Sequence, residues 1–208
     1  MNLLHYFFGS NKQRAKFIFD LIAPLYGSID KSVQKGYAEI AKKLNSQIPL
    51  ENFSILDIGT GTGGWLASIA KYSKMKKQGV DFSDKMIHQA KKNHPNLNFI
   101  KMDADDMKHF EDNSFDIVTA SFVLHGMKAK ERGVVLKEMA RIANKYVMIQ
   151  DFRNKTAPFV KVLEFLERSD YKNFKRNFEE EMQNFFNSIK IIECDNGNAV
   201  YVGKIDTK

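Results

Sequence analysis

The sequence predicts an α/β fold: a doubly wound, mostly parallel sheet of seven strands with helices on both faces and a C-terminal antiparallel hairpin. Three patterns predict it. From residue 53 onward, short apolar runs alternate with helix-like segments, as parallel strands and their crossover helices do. A glycine-rich turn follows the first of these runs. The last two apolar runs of the chain flank a turn-forming stretch at residues 195–198, which indicates a hairpin.

The elements of the central segment can be assigned in order. Each apolar run is short enough for a strand, and a segment with helical spacing of its apolar residues follows most of them. The strand-like runs are SILDIG, QGVDF, NFIKMDA, FDIVTASFVL and KYVMIQDF, and the helical segments are GGWLASIAKYS, SDKMIHQAKKN and KERGVVLKEMARIAN.

The flanking segments are predicted to be helical. Pro24 breaks or ends a first helix, and Val33, Tyr37, Ile40, Ala41 and Leu44 share one face of a second. Near the C-terminus, two apolar stripes predict two helices, one at Phe159, Val162, Leu163 and Leu166 and one at Phe174, Phe178, Met182 and Phe185. We therefore expect one domain over residues 1–208, with a helical lid (1–50), a core (53–152) and a closing segment of helices and hairpin (153–208).

Composition excludes several classes of protein. The single cysteine, Cys194, excludes an internal disulfide and a Cys-rich zinc site, and we expect no metal. No apolar run approaches the roughly 20 residues that span a bilayer, and the start lacks the features of a signal peptide, so a cytoplasmic protein is expected. The net charge of +7 is concentrated in residues 1–50 and 71–92; these stretches form either a docking surface for anions or a solvated lysine-rich face.

The stretch ILDIGTGTGGWL, residues 55–66, is the strongest functional signal. Gly59, Gly61 and Gly64 satisfy the dinucleotide pattern G-x-G-x-x-G, but Asp57 lies at the same turn, where its carboxylate would repel a pyrophosphate. A ligand with an ammonium group, such as S-adenosylmethionine, suits that carboxylate better. The alternative is that Asp57 only caps the turn through backbone N–H groups.

Further acids follow the second and third strand-like runs. Asp81 ends the second run, 22 residues after Gly59, where a carboxylate can accept hydrogen bonds from ribose hydroxyls of either NAD or S-adenosylmethionine. Phe82 and Met86 are positioned to pack on an adenine ring, although Met86 equally suits the core. After the third run, Asp103 and the backbone of Ala104 could bind adenine, or the acid-rich stretch MDADDM is a solvated turn.

Together the segments LDIGTGTGGW, VDFSDKMI, DAD and FDIVTASFVLHGM resemble the successive signatures of class I S-adenosylmethionine-dependent methyltransferases, over residues 53 to about 152. Within that class, FIFDLIAPLYGSID followed by LDIGTGTG resembles the ubiquinone/menaquinone-biosynthesis methyltransferase group. The resemblance implies a Rossmann-like fold, S-adenosylmethionine as cofactor and S-adenosylhomocysteine as product.

The resemblance also implies roles for individual residues. The turn residues Asp57, Gly59, Thr60, Gly61 and Gly63 would surround the methionine moiety. Asp81 would bind ribose, Asp103 and Ala104 adenine, Ser121 would lie beside the cofactor, and Tyr26 would belong to an N-terminal cover over its methionine end.

The chemistry expected is an in-line displacement at the methyl group, in which the protein aligns the acceptor and excludes water. His125 is the candidate general base for an acceptor that must lose a proton; a packing or capping role is its alternative. The segment after the fourth run lacks the Asn-Pro-Pro-aromatic and Pro-Cys signatures of nucleic-acid base methylation. We therefore expect a small-molecule acceptor.

Other functions remain open from the sequence. An RNA or protein methyltransferase would use the basic N-terminal face, and a non-catalytic protein would only bind S-adenosylmethionine. Leu3, Leu4, Tyr6, Phe7 and Phe8 precede three cationic residues, so the N-terminal segment either rests on a membrane surface or forms an ordinary lid helix. No pattern specifies an oligomeric state.

Overall fold

The computed structural model describes residues 34–154 and 169–206. Its centre is one seven-stranded sheet. The strands are β1 (Ile55–Ile58), β2 (Lys77–Asp81), β3 (Asn98–Lys101), β4 (Phe115–Ser121), β5 (Ala143–Phe152), β6 (Ile189–Glu193) and β7 (Asn198–Lys204). Their order in space is β3-β2-β1-β4-β5-β7-β6. The first five pair in parallel, and β7 runs antiparallel between β5 and β6.

The helices among the described residues connect and cover these strands. They are α1 (34–47), α2 (Gly64–Ala70), α3 (Asp84–Asn93), α4 (Ala129–Ile142) and α5 (Tyr171–Gln183), with short 3-10 turns at Leu124–Gly126 and Asp195–Gly197. Local chemistry sets where α3 begins and ends, because the Ser83 side chain accepts the N–H of Met86 and two lysines lie in the last turn. Both features stabilise the helix ends.

A hydrophobic core lies on each face of the sheet. Helices α4 and α5 pack on one face against Leu56, Val118, Val147 and Tyr201. Helices α1, α2 and α3 pack on the other face against Ile55, Ile117, Met148 and Val200. Since side chains alternate between faces along a strand, the continuous apolar runs are explained by burial on both sides.

The predicted fold class is confirmed, including the seven strands and the antiparallel C-terminal hairpin. Three details of the prediction were wrong. The third strand ends at Lys101 rather than at Ala104. The α5 stripe does not extend to Phe185, which is 38% exposed, because the helix ends at Gln183 and Phe186 turns into the core instead. The fourth strand stops at Ser121 rather than at Leu124, because Phe122 takes a left-handed backbone conformation with φ of 52°.

Several predictions fall outside the described residues. They concern the helix before Pro24, the cover residue Tyr26, the cationic N-terminal segment and the stripe from Phe159 to Leu166. Within the described ranges, no helix is both long and apolar enough to cross a bilayer.

Candidate functional site

The turn after β1 has glycines at positions where a residue with a side chain would be strained. Gly59 and Gly61 have φ of 65° and 55°, a left-handed region that disfavours side chains. A Cβ on Gly59 would lie 2.5 Å from Cγ2 of Val123, whereas a Cβ on Gly61 would meet nothing within 4 Å. Gly59 is therefore needed for close packing against the β4 connection, and Gly61 borders open space at the edge of the sheet.

Asp57 is buried beneath this turn with only half of its carboxylate paired. The side chain is 1% exposed. Its Oδ2 accepts a hydrogen bond of 2.6 Å from the Thr60 hydroxyl, while its Oδ1 has no partner among the described residues. Burial raises the pKa of Asp57 to about 7, with the Thr60 bond opposing the shift and the negative charge of Asp81 adding to it. An unpaired, desolvated carboxylate of this kind is suited to a cationic ligand.

Asp81 links the glycine turn after β1 to the turn between β2 and α3. Its Oδ2 accepts the N–H of Gly61 at 2.9 Å and its Oδ1 accepts the N–H of Ser83 at 2.8 Å. These bonds fix the carboxylate at the end of β2, beside the glycine turn. Phe82 is half-buried next to it, and Met86 is buried in the first turn of α3.

The acid-rich segment MDADDM follows β3 at the same edge of the sheet as Asp57 and Asp81. The N–H of Met102 donates to the backbone oxygen of Asp81, and the N–H of Asp106 donates to that of Asp103. Asp103 is partly buried, Ala104 packs against the core, and Asp105 and Asp106 are exposed. The segment is thus a turn with one face inward, and the structure places Asp103 in line with Asp81 along the sheet edge.

A cluster of hydrogen-bonded side chains, which the sequence did not predict as a cluster, lies across the carboxyl ends of β4 and β5. The Ser121 hydroxyl donates to Oε1 of Gln150 and lies 3.2 Å from the Tyr37 hydroxyl. The Tyr37 ring contacts the Trp65 ring, with centroids 5.6 Å apart, and the Trp65 Nε1–H donates to Thr119 at 3.0 Å. Helix α1 is thereby fixed over the carboxyl ends of the central strands.

His125 is joined to a buried carboxylate. Its Nδ1 lies 2.8 Å from Oδ1 of Asp151, which is 0% exposed. The same carboxylate accepts the N–H groups of His125 and Phe152. Because a carboxylate only accepts hydrogen bonds, this pairing places a proton on Nδ1 and leaves Nε2 as the basic nitrogen of the neutral ring.

Aromatic rings enclose this histidine. The centroids of Phe122, Phe152, Tyr171 and Phe174 lie 4.9–6.5 Å from that of His125. Arg132 anchors the same connection to α5, since its fully buried guanidinium donates to the Met127 oxygen, to Asp170 and to Glu181. The loop that carries His125 is therefore held on both sides.

Most of the site residues predicted from the sequence fall into two groups. The structure brings Asp57, the turn glycines, Thr60 and Asp81 into direct contact, and it places Asp103, Ala104, Ser121 and His125 along the same edge. Cys194, which the sequence analysis did not include among the site residues, lies on the far hairpin, where burial raises the pKa of the thiol. No cluster of metal-binding side chains occurs within the described residues. Sequence reasoning missed Gln150 and Asp151, although their position at the end of an apolar run was a usable signal.

The fold is the one found in solved class I methyltransferases. Residues 55–145 match the family model described as a methyltransferase domain, which confirms the resemblance. The chain is 35% identical to a demethylmenaquinone methyltransferase from Chlorobaculum tepidum over 131 residues, covering 60% of this chain and 53% of that protein. It is 31% identical to a ubiquinone/menaquinone biosynthesis C-methyltransferase from Campylobacter jejuni over 140 residues, covering 62% and 58%.

Thus the chain spans about half the length of the curated relatives that it matches. Solved structures support the fold. A possible histamine N-methyltransferase from Thermotoga maritima superposes with a TM-score of 0.68 at 18% identity, covering 91% of this chain and 99% of that one. Magnesium protoporphyrin IX methyltransferase from Synechocystis, solved with bound S-adenosylhomocysteine, gives 0.62 at 16% identity and covers 83% of each chain.

Proposed function

We propose that this protein is an S-adenosylmethionine-dependent methyltransferase that transfers a methyl group to an O, N or C atom of a small-molecule acceptor. The observation that carries the proposal is the half-paired Asp57 carboxylate beneath a glycine turn that borders open space. A dinucleotide would bring a pyrophosphate to this carboxylate, whereas S-adenosylmethionine brings an ammonium group. The residue range matched by the methyltransferase family supports the same activity.

The residues at the edge of the sheet fit the parts of that cofactor. Asp57 would hold the ammonium group, with Gly59, Thr60, Gly61 and Gly63 forming the turn around the methionine moiety. Asp81 would bind the ribose hydroxyls, Phe82 and Met86 would flank the adenine, and Asp103 and Ala104 would bind its polar edge. Ser121 would lie beside the methionine moiety, and Tyr26, outside the described residues, would cover it.

The protein's share of the chemistry is alignment, exclusion of water and proton removal. When bound, the cofactor supplies a methyl group that is already activated, so the protein needs no nucleophile. The bound ligands would have to displace water from the open edge of the sheet, and the connection after β4 would position the acceptor. His125 would accept a proton at Nε2 from an acceptor that must lose one, because Asp151 holds Nδ1.

Small molecules fit this site better than macromolecules. The lysines of residues 71–76 precede β2 and lie at its amino end, at the edge opposite the glycine turn, so nucleic acid bound there would not reach the methyl group. The matched relatives are named for demethylmenaquinone, and half-buried aromatic rings such as Tyr37 and Phe122 line the edge at β4. An aromatic acceptor is therefore the first class to test.

Isothermal titration with S-adenosylmethionine and with NAD tests the cofactor. The wild type should bind S-adenosylmethionine and not NAD. Asp57→Ala should weaken binding by about 10–100-fold, since a hydrogen bond to a charged group contributes about 1.5–3 kcal/mol. Asp112→Ala is the matched control, because Asp112 is exposed near the amino end of β4. Tight NAD binding, or an unchanged dissociation constant in Asp57→Ala, contradicts the proposal.

Transfer from methyl-labelled S-adenosylmethionine to a cell extract tests the reaction. The label should appear in compounds that pass a small-pore filter, and His125→Ala should reduce its transfer. Label retained with RNA or protein would favour the macromolecular alternative, and no transfer despite cofactor binding would favour a protein that only binds the cofactor.

A further inference from the structure

Gln150 presents an unused hydrogen-bond donor at the end of β5. The residue is 0% exposed. Its Oε1 accepts from the Ser121 hydroxyl, whereas its Nε2 has no partner among the described residues. A buried amide nitrogen without an acceptor carries a free-energy cost, and buried polar side chains are rarely left in this state. A bound ligand that offers an acceptor atom would remove the cost.

The register of the strands locates this donor relative to the cofactor site. Asp57 pairs with Thr119 on β4, which pairs with Met148 on β5, so these three residues share a face of the sheet. Gln150 lies two positions beyond Met148, on the same face and nearer the carboxyl edge. Two strand spacings, about 10 Å, separate β5 from β1. A ligand group bound to Asp57 is therefore out of hydrogen-bond reach of Gln150.

Aromatic side chains lie next to Ser121, the hydrogen-bond partner of Gln150. Tyr37 reaches Ser121 from α1, and Phe122 follows Ser121 on the chain. The Phe122 ring lies between Tyr37 and Phe152, with centroids 6.4 Å and 4.8 Å away. Its backbone adopts a φ of 52°, which is unfavourable for a bulky residue. Such strain occurs most often where a side chain must be held at a ligand site.

We infer that Gln150 binds the methyl acceptor: its Nε2–H donates a hydrogen bond to an oxygen of an aromatic hydroxyl or carbonyl compound whose ring packs beside Phe122 and Tyr37. The inference rests on the proposed methyltransferase function, because that function assigns the Asp57 end of the edge to the cofactor. It goes further by naming the residue that selects the acceptor and the chemical class that this residue recognises.

Two probes that differ only in their oxygens test this assignment. The probes are 1,4-naphthalenediol, kept reduced, and naphthalene, and their affinities are measured with and without S-adenosylhomocysteine so that no turnover occurs. The wild type should bind the diol about 5–10-fold more tightly, the value of one net hydrogen bond of about 1 kcal/mol. Gln150→Met should remove that preference while leaving naphthalene binding unchanged. Gln183→Met is the matched control, since Gln183 is exposed at the end of α5.

A second measurement covers the case in which Gln150→Met does not fold. In the wild type, the side-chain amide protons of Gln150, assigned by 15N NMR, should shift on addition of the diol and stay in place with naphthalene. The inference is overturned if the wild type binds neither probe or does not prefer the diol, if the preference persists in Gln150→Met, or if the amide signals do not move. Absence of S-adenosylmethionine binding would instead refute the proposed function, and that titration is independent of the probes.

Discussion

The buried carboxylate of Asp57 makes the site costly to fold, and Asp57→Asn measures this cost. Burial raises the pKa of Asp57 from 3.8 to about 7 in the folded protein. Between these values the folded protein holds a proton that the unfolded chain has lost, so the free energy of unfolding falls as the pH rises. The loss begins near pH 4 and is complete above about pH 7.

The size of the effect follows from the shift. A change of about three pKa units at about 1.36 kcal/mol each gives about 4 kcal/mol at pH 8. Asparagine has no charge to desolvate and still accepts from Thr60, but its amide nitrogen would replace the unpaired Oδ1 at a cost of about 1–3 kcal/mol. Asp57→Asn should therefore raise the free energy of unfolding by about 1–3 kcal/mol at pH 8. By pH 5 this advantage should shrink by about 3 kcal/mol, because the wild-type carboxyl is then protonated in the fold.

Urea unfolding of the wild type and the variant at pH 5, 6, 7 and 8 checks this prediction, with Asp112→Asn as the exposed control. Subtracting the wild-type curve from the variant curve at each pH cancels the other titrating groups. The same variant should bind S-adenosylmethionine about 10–100-fold more weakly. A difference that does not vary with pH, or a variant less stable than the wild type at pH 8, would refute the assignment of a desolvated carboxylate.

The remaining predictions concern the turn and the β4 connection. Gly59→Ala should lower the free energy of unfolding by more than Gly61→Ala, because only the first brings a Cβ within 2.5 Å of Val123. Both substitutions share a backbone strain of about 1 kcal/mol. Equal losses of stability in urea unfolding would contradict the packing argument. Arg132→Leu should cost about 3–5 kcal/mol by leaving Asp170 and Glu181 without their buried partner, whereas Lys108→Leu, at an exposed pair, should cost less than about 1 kcal/mol. Trp65, the only tryptophan, is buried against Tyr37 and next to the glycine turn. Its fluorescence should therefore change when the cofactor binds. A fluorescence signal that does not change at saturating cofactor would argue against binding of the cofactor at this turn.

The sequence was sufficient for the parts of the site that are local. Asp57, Thr60 and the turn glycines lie within seven positions, and Asp81 ends the next strand along the chain. A strand followed by a helix fixes the direction of its turn, and parallel pairing then brings successive turns to one edge. The fold and the acid-lined half of the site could therefore be predicted from the order of short motifs.

The other half depends on contacts between residues far apart in the chain. Tyr37 and Ser121 are separated by 84 positions, and His125 and Asp151 by 26. Nothing in either local pattern specifies the partner, because both depend on which strands become neighbours and on where α1 crosses the sheet. The error at Phe185 has a similar origin, since a helical period no longer applies once the helix ends.

The order of the strands suggests how the site divides its ligands. Along the edge, Asp81 and Asp57 belong to β2 and β1, and Asp103 lies in the turn after β3. The neutral Ser121 and Gln150 belong to β4 and β5. The change from acidic to neutral side chains falls between β1 and β4, where the strand order reverses and ligands of open α/β sheets bind. We therefore expect substitutions on β1–β3 to change the dissociation constant of the cofactor and substitution of Gln150 to change that of the acceptor. Substitution of Ser121, which would lie beside the methionine moiety and is bonded to Gln150, should change both. A variant of Gln150 that weakened only cofactor binding would place the boundary between the two ligands one strand further along the sheet.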